Sequence, residues 1–369
     1  MKDKRLPPYD FEVHANIEEA KTIHTAVYHD ANVFQVLLEK IFVPSWQFIA
    51  SCDELPTEDF YFPFSFLSPI IDEPLVAVKN TQGQFDCFSN VCTHRGNILA
   101  TEACTRKHGL ICKYHGRRFS GDGKMVFMPE FKEVQNFPSA QDDLPRFPIQ
   151  KWGNWLFTSL VPQSTLPPAY NCMMERLGFL TFDNFRYDAS RDSSFTIHAN
   201  WALYCENYLE GFHIPFVHAG LNQVLDFGSY ETLTQDDCIL QIGYAKEGEL
   251  CFDLPAHHPD YGKNVAAYYY FVFPNLMFNF YPWGLSLNIV APMSVDQTRV
   301  TFKTYILDEN KYNKGAGSDL HTVEMEDEAI VEWVQKGTKS RAYTHGRYSA
   351  VRETGPHHFH RLLAMALND

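Results

Sequence analysis

Positive charge is scarce in this chain of 369 residues: Lys and Arg number 31 against 45 Asp and Glu, a formal net charge of −14. That balance argues against nucleic-acid binding through phosphate neutralisation. The opening residues, Met1-Lys2-Asp3-Lys4-Arg5-Leu6-Pro7-Pro8, lack the apolar core of a secretory signal. From Lys263 to Asp296 no charged residue intervenes, yet Pro274, Asn275, Asn279, Pro282, Gly284, Asn288 and Pro292 interrupt the run. Buried strands separated by turns fit it better than a membrane span. No internal repeat or low-complexity tract is visible. The nine cysteines are odd in number and scattered, which predicts reduced thiols and a cytoplasmic protein, since disulfide frameworks belong to oxidising compartments. The length alone suggests about two domains.

What the chain does have is two close cysteine–histidine pairs, Cys92-Thr93-His94 and Cys112-Lys113-Tyr114-His115. Two thiolates and two imidazoles are the ligand set of a Rieske [2Fe–2S] centre, in which two histidines replace two cysteines on one iron. A structural zinc site uses the same residue types, but its opening pair is normally spaced more widely than Cys-x-His. Gly96 and Gly116 follow the two pairs. Their lack of a Cβ would let backbone N–H groups approach bridging sulfides.

These loops resemble the Rieske domain of the ring-hydroxylating and demethylating oxygenases, non-haem iron enzymes that activate O2. Members commonly carry proline after the second cysteine and tryptophan after Tyr-His-Gly; here those places hold Lys113 and Arg117.

A cluster domain needs little more than a third of the length, so the second half should receive the electrons. His213 and His218 stand five positions apart around Pro215, with Glu206, Asn207 and Glu210 just upstream. Two histidines and one carboxylate with open positions opposite form the facial triad of Fe(II) oxygenases. Five is the wrong spacing for one helical face; a break at Pro215 would leave His213 ending one helix and His218 in a displaced turn. Residues 318–336 read as a helix, with Ser318 and Asp319 at its start and Gly337 at its end. On its wheel Asp327 falls inside an apolar arc of Leu320, Val323, Ile330, Val331 and Val334, while Glu324, Glu328 and Glu332 point to solvent. A carboxylate aimed into a core is costly unless paired or metal-bound, so Asp327 is the candidate third ligand. Glu326 reads as structural.

The second half is similar to the same oxygenase family. The resemblance implies that His213, His218 and Asp327 hold the iron and that Asn207 lies near it. Glu210 would bridge a Rieske histidine, His94 or His115, of one subunit to His213 of its neighbour in a homotrimer. The stretch Asn207 to Pro215, with His345-Gly346-Arg347-Tyr348 and His357 to Leu362, looks most like the choline monooxygenase and betaine-demethylating branch. Quaternary ammonium groups favour aromatic cages, and Tyr268, Tyr269, Tyr270, Phe278, Phe280, Tyr281 and Trp283 crowd one segment expected to wall the pocket. No Gly-x-Gly-x-x-Gly fingerprint is present, so electrons from NAD(P)H should arrive through a separate ferredoxin or flavin reductase. Arg95, Arg106, Lys107, Lys113, Arg117, Arg118 and Lys124 form a basic cluster around the Rieske loops, a candidate docking face for an acidic partner.

The predicted layout is α+β: a helical extension over 1–40, where Asn16 and Glu19 have capping-box spacing and Asp30 caps a second helix; an all-β Rieske domain over 41–162; and a catalytic domain over 163–369. The proline-rich stretch 162–168 reads as a linker. By resemblance the catalytic part is a helix-grip fold, an antiparallel sheet curved around a long helix. The expected activity is that of a terminal oxygenase acting on a small organic substrate. Aromatic ring hydroxylation, a simple electron carrier and a zinc-stabilised binding module are the competing readings.

Overall fold

The computed structural model describes residues 9–162, 165–318 and 320–368. Residues 1–8, Gln163 and Ser164 of the linker, and Asp319 at the expected helix start lie outside the described residues. The chain forms two compact units: one from Val43 to Leu166, the other from the residues before and after it.

The inserted unit is built of short antiparallel strands. One sheet of five strands has Phe60–Phe66, Glu73–Lys79 and Phe85–Ser89 at its centre, and a three-stranded sheet joins Gln47–Ser51, Trp155–Thr158 and Ile149–Trp152. A third sheet, Leu110–Ile111, Arg118–Phe119 and Met125–Phe127, carries the second cysteine–histidine loop. Cys92 and Cys112 belong to one apolar cluster with Val76, Phe88, Leu99, Leu110 and Phe119.

The larger unit is organised by an eight-stranded antiparallel sheet. Its long central strands are Cys238–Tyr244, Val265–Val272, Leu276–Tyr281, Gly284–Ser294 and Gln297–Ile306. Their Val, Tyr, Phe and Leu content suits a pleated surface buried on both faces. The charge-free stretch from Lys263 to Asp296 is therefore sheet core, and among the described residues no helix is long and apolar enough to cross a membrane. Helix Trp201–Tyr208, capped by the Asn200 side chain on Ala202 N, and helix Leu320–Thr338 lie against this sheet and each other.

Residues 9–42 pack within this larger unit. Asp30 caps helix Ala31–Leu37 through Asn32 N and Val33 N, as expected. Asn16 and Glu19 do hydrogen-bond, at 3.1 Å, but they close a turn rather than open a helix. Just beyond, the main chain of Thr22 and Thr25 accepts pairing with the C-terminal segment: Thr22 N donates to Gly346 O and Thr25 N to Thr344 O.

Candidate metal centres and substrate cavity

The two cysteine–histidine loops are the same turn built twice. In each, the cysteine N–H donates to a carbonyl five residues on (Asn97 O and Arg117 O, both 2.8 Å), and a glycine N–H returns to the cysteine carbonyl at 3.0 Å. Gly96 and Gly116 sit at φ +70° and +73°, the left-handed region that glycine enters without Cβ strain. Their own N–H groups are thus spent inside the loop. The donors to sulfur are instead the main-chain N–H of His94 for Cys92 and those of Tyr114 and His115 for Cys112, helped by Asn97 Nδ2 at 3.6 Å. Burial alone would raise both thiols; these donors hold Cys112 below its ordinary value. The His94 and His115 rings lie 4.8 Å apart at 73°.

Arg117, read from sequence as part of a basic surface, is 2% exposed. It donates to Thr93 Oγ1 at 2.7 Å, pairs with Asp142 at 3.2 Å and lies against the rings of Phe131 and Phe137. It fastens one loop to the other instead of facing a partner. Arg95, Lys107, Lys113, Arg118 and Lys124 remain exposed.

In the larger unit, helix Trp201–Tyr208 ends well before His213, so the expected helix end at His213 is not observed. His213 and His218 flank a separate short helix, Ile214–Val217, with Pro215 in its first turn. Proline suits that place, because its missing N–H has no intrahelical partner there. The turn brings the two imidazoles together: His213 Nε2 and His218 Nε2 are 3.1 Å apart, and Asp327 Oδ1 lies 3.4 Å and 3.0 Å from them. These three side chains form a group able to hold a metal ion.

Each is held from behind. Glu210 Oε1 engages His213 Nδ1 at 2.7 Å, Glu326 Oε2 engages His218 Nδ1 at 2.7 Å, and Asn207 Nδ2 donates to Asp327 Oδ1 at 2.6 Å. Glu210 also accepts the main-chain N–H of Phe212 and His213. Carboxylates on the far nitrogens fix the tautomer and leave both Nε2 lone pairs free for a metal. Glu326, read as merely structural, is therefore the partner of a candidate ligand. Burial works against charge on His213, but hydrogen bonds from Asp327 and Glu210 raise it to about 9. Hydrogen bonds from His213 and His218 overcome burial and push Asp327 down to about 2.

The long helix differs from its wheel. It runs Leu320–Thr338, through Gly337, and its buried positions are Glu324, Val331, Gln335 and Thr338. Ile330 is half-buried and Val334 exposed, so the inward face is polar rather than apolar. Glu324, expected in solvent, is 6% exposed and accepts the Tyr204 hydroxyl at 3.0 and 2.8 Å. Helix faces are sorted here by the site they line.

A cavity of about 120 Å³ opens beside the triad. One wall is a transverse row of strand neighbours, Gln241, Tyr269, Asn279 and Ser286, in register across four strands. Because side chains alternate faces, only Tyr269 and Tyr281 of the expected aromatic segment line it. Tyr268, Tyr270, Phe278 and Phe280 point to the opposite face, and Trp283 stacks behind Tyr281 at 5.2 Å. Tyr204, Tyr208, Tyr230 and Phe302 complete the aromatic lining. Tyr230 packs over Gly211, where a Cβ would fall 2.8 Å from its ring. The sequence signal for this wall was the set of polar residues, Asn279, Ser286 and Asn288, inside otherwise apolar strands.

Residues 182–369 match the model of the ring hydroxylating alpha subunit (catalytic domain) family. The chain belongs to that family. Residues 45–138 match the Rieske [2Fe–2S] domain. The chain is similar to choline monooxygenase, chloroplastic, of Arabidopsis thaliana, at 29% identity over 96% of this chain and 85% of the relative. It is equally similar to the carnitine monooxygenase oxygenase subunit of Escherichia coli K12, at 29% identity over 96% of each chain. A crystal structure of a quaternary ammonium Rieske monooxygenase with L-carnitine shares the fold, with TM-score 0.77, 22% identity and coverage of 98% and 99%. This Rieske oxygenase subunit thus has a cluster domain and a mononuclear-iron catalytic domain, the α+β arrangement expected.

Both donor sets fit the groups the family uses. In the cluster loops two buried cysteines share one apolar cluster, the two imidazole rings lie 4.8 Å apart, and His115 Nδ1 is buried with no hydrogen-bond partner. A buried, unpartnered ring nitrogen is costly unless a ligand completes it. In the catalytic unit the two Nε2 atoms and Asp327 Oδ1 converge, with carboxylates on both Nδ1 atoms and Asn207 on the same Oδ1, a donor set that fits a facial triad.

Proposed function

We propose that this oxygenase subunit oxidises a small ammonium-bearing metabolite. The observation that carries the reading is the juxtaposition of the His213, His218 and Asp327 group with a tyrosine-rich cavity, since aromatic faces attract quaternary ammonium ions. The choline and carnitine monooxygenases among its relatives support the same class.

In this reading Cys92, His94, Cys112 and His115 hold the cluster, and His213, His218 and Asp327 hold Fe(II). When bound, the cluster passes single electrons and the iron activates O2. In net terms one substrate C–H becomes C–OH and the second oxygen atom leaves as water. Two electrons come from NAD(P)H through a separate reductase, and two protons from solvent. The tyrosines bind and orient the substrate, and Glu326 and Asn207 hold the ligand set in place.

Glu210, on His213 Nδ1 at 2.7 Å, takes the bridging part toward a neighbour's cluster histidine in a homotrimer. None of the nine cysteines is in a disulfide, which accords with a reducing, cytoplasmic setting.

The test is O2 uptake by the reconstituted protein with a matched reductase against choline, betaines, carnitine and simple aromatic acids, with products identified by mass spectrometry. An oxidised ammonium product is expected. Turnover of aromatic acids alone would contradict the reading.

A further inference from the structure

The cavity beside the triad has an unusual charge inventory. Among the described residues that line it none is Lys or Arg, whereas Glu210, Glu324 and Asp327 contribute carboxylates. Two of these are committed: Asp327 to the imidazole pair and Asn207, Glu210 to His213. Glu324 differs. Its side chain is buried, and what it receives is the neutral hydroxyl of Tyr204 on both oxygens. Burial and the nearby Asp327 raise its carboxyl well above the ordinary range, and no Lys or Arg of the lining opposes that, so a bound ammonium is the counter-charge that would hold it ionised in a low-dielectric site.

The uncharged polar groups point the same way. Gln241 Nε2 donates to Tyr208 O at 2.6 Å, Asn279 Nδ2 to Ser286 O at 3.1 Å, and Ser286 Oγ to Asn288 Oδ1 at 2.9 Å. These donors are already engaged within the wall. A carboxylate entering this cavity would meet like charge and no cationic fork, the group that usually recognises it. A substrate hydroxyl faces no such penalty.

We propose that Glu324 is the anionic recognition residue of this cavity, and that it selects cationic ammonium substrates without a carboxylate over zwitterionic ones. The inference rests on the ammonium reading above and narrows it: a quaternary or tertiary ammonium alcohol fits, and a betaine or carnitine does not. Tyr269 and Tyr281, with ring centroids 5.9 Å apart at 79°, supply aromatic faces for the methyl groups, and Glu324 supplies the formal charge.

Anaerobic calorimetry on the metal-loaded protein decides it, with choline, L-carnitine and 3,3-dimethylbutan-1-ol, the uncharged carbon isostere of choline. Choline should bind the native protein roughly tenfold or more tightly than either other compound. Glu324→Gln should lower choline affinity to near that of the isostere and leave the isostere within about twofold. Tyr204→Phe, which keeps the carboxylate, should retain the preference for choline. L-carnitine binding as tightly as choline to the native protein overturns the proposal while leaving the ammonium reading intact. Equal losses for choline and the isostere in Glu324→Gln overturn it too, by making the residue structural. If choline binds no better than the isostere to the native protein, the ammonium reading falls with it.

Discussion

The two donor sets of this chain are made in opposite ways. Around Cys92 and Cys112 every ligand comes from one of two identical turns, each closed by its own main-chain hydrogen bonds and a left-handed glycine. Around His213 and His218 the third ligand arrives from a distant helix, and each ligand is steadied by a separate side chain: Glu210, Glu326 or Asn207. The first is a local device whose geometry survives in a short stretch of sequence. The second depends on helix Leu320–Thr338 docking correctly against helix Trp201–Tyr208. Redox relay suits a rigid local cage, and substrate chemistry suits a site whose wall and ligands come from different elements.

The sharpest way to break that comparison is to remove one ligand from each set. Asp327→Ala should abolish the mononuclear iron and all turnover while leaving cluster iron, sulfide and visible absorption unchanged; Cys112→Ser should abolish the cluster and turnover while leaving the mononuclear iron bound. Metal and sulfide analysis checks both, and loss of both metals in either variant would make the two sites interdependent.

Next in size is Glu210→Gln. Replacing a partner of a metal-bound histidine typically costs 10–100-fold, and a bridging role places the effect near about 100-fold in kcat. Both metals should stay bound, and the loss should appear in stopped-flow reoxidation of the cluster rather than in substrate affinity.

Arg117 and Arg118 separate fastening from docking. Arg117→Met strips the loops of a buried ion pair and should lower unfolding stability by roughly 3 kcal/mol, read from urea denaturation. Arg118→Glu, on an exposed side chain over Phe127, should leave stability within about 0.5 kcal/mol and lower the rate with the protein reductase only. A reversed pattern would return Arg117 to the surface.

The smallest effect is a pH dependence of the metal-free protein. The folded His213 is raised to about 9 by Asp327 and Glu210 against burial, so its stabilisation is complete below its ordinary value of 6.5 and fades as pH climbs through about 9. Thermal unfolding of metal-free protein should therefore weaken across that window. Fe(II) loading should flatten the dependence, because the metal replaces those protons.

The Rieske domain was legible in the sequence because its two cysteine–histidine pairs are each contiguous and their spacing is distinctive. His213 and His218 were legible as types, but the turn joining them was not, since proline opens a helix as readily as it ends one. Asp327 emerged from helical periodicity; Glu324 on the same helix was misplaced, because the wheel assumes an apolar interior and this interior is a polar cavity. Strand alternation turned four of the seven expected cage aromatics away and left Tyr269 and Tyr281, while Tyr204, Tyr208, Tyr230 and Phe302 join them from other elements. The burial of Arg117 was invisible for the same reason: a guanidinium looks alike in sequence whether it meets solvent or Asp142 and two phenylalanines.

One measurement reaches the central claim most directly. The protein is reduced anaerobically, freed of reductant and mixed with O2, with and without choline, while the cluster's visible absorption and the product are followed together. The account expects cluster reoxidation to accelerate with choline, to yield oxidised choline in step, and to lose that acceleration in Asp327→Ala. Reoxidation that ignores both choline and Asp327 would contradict it.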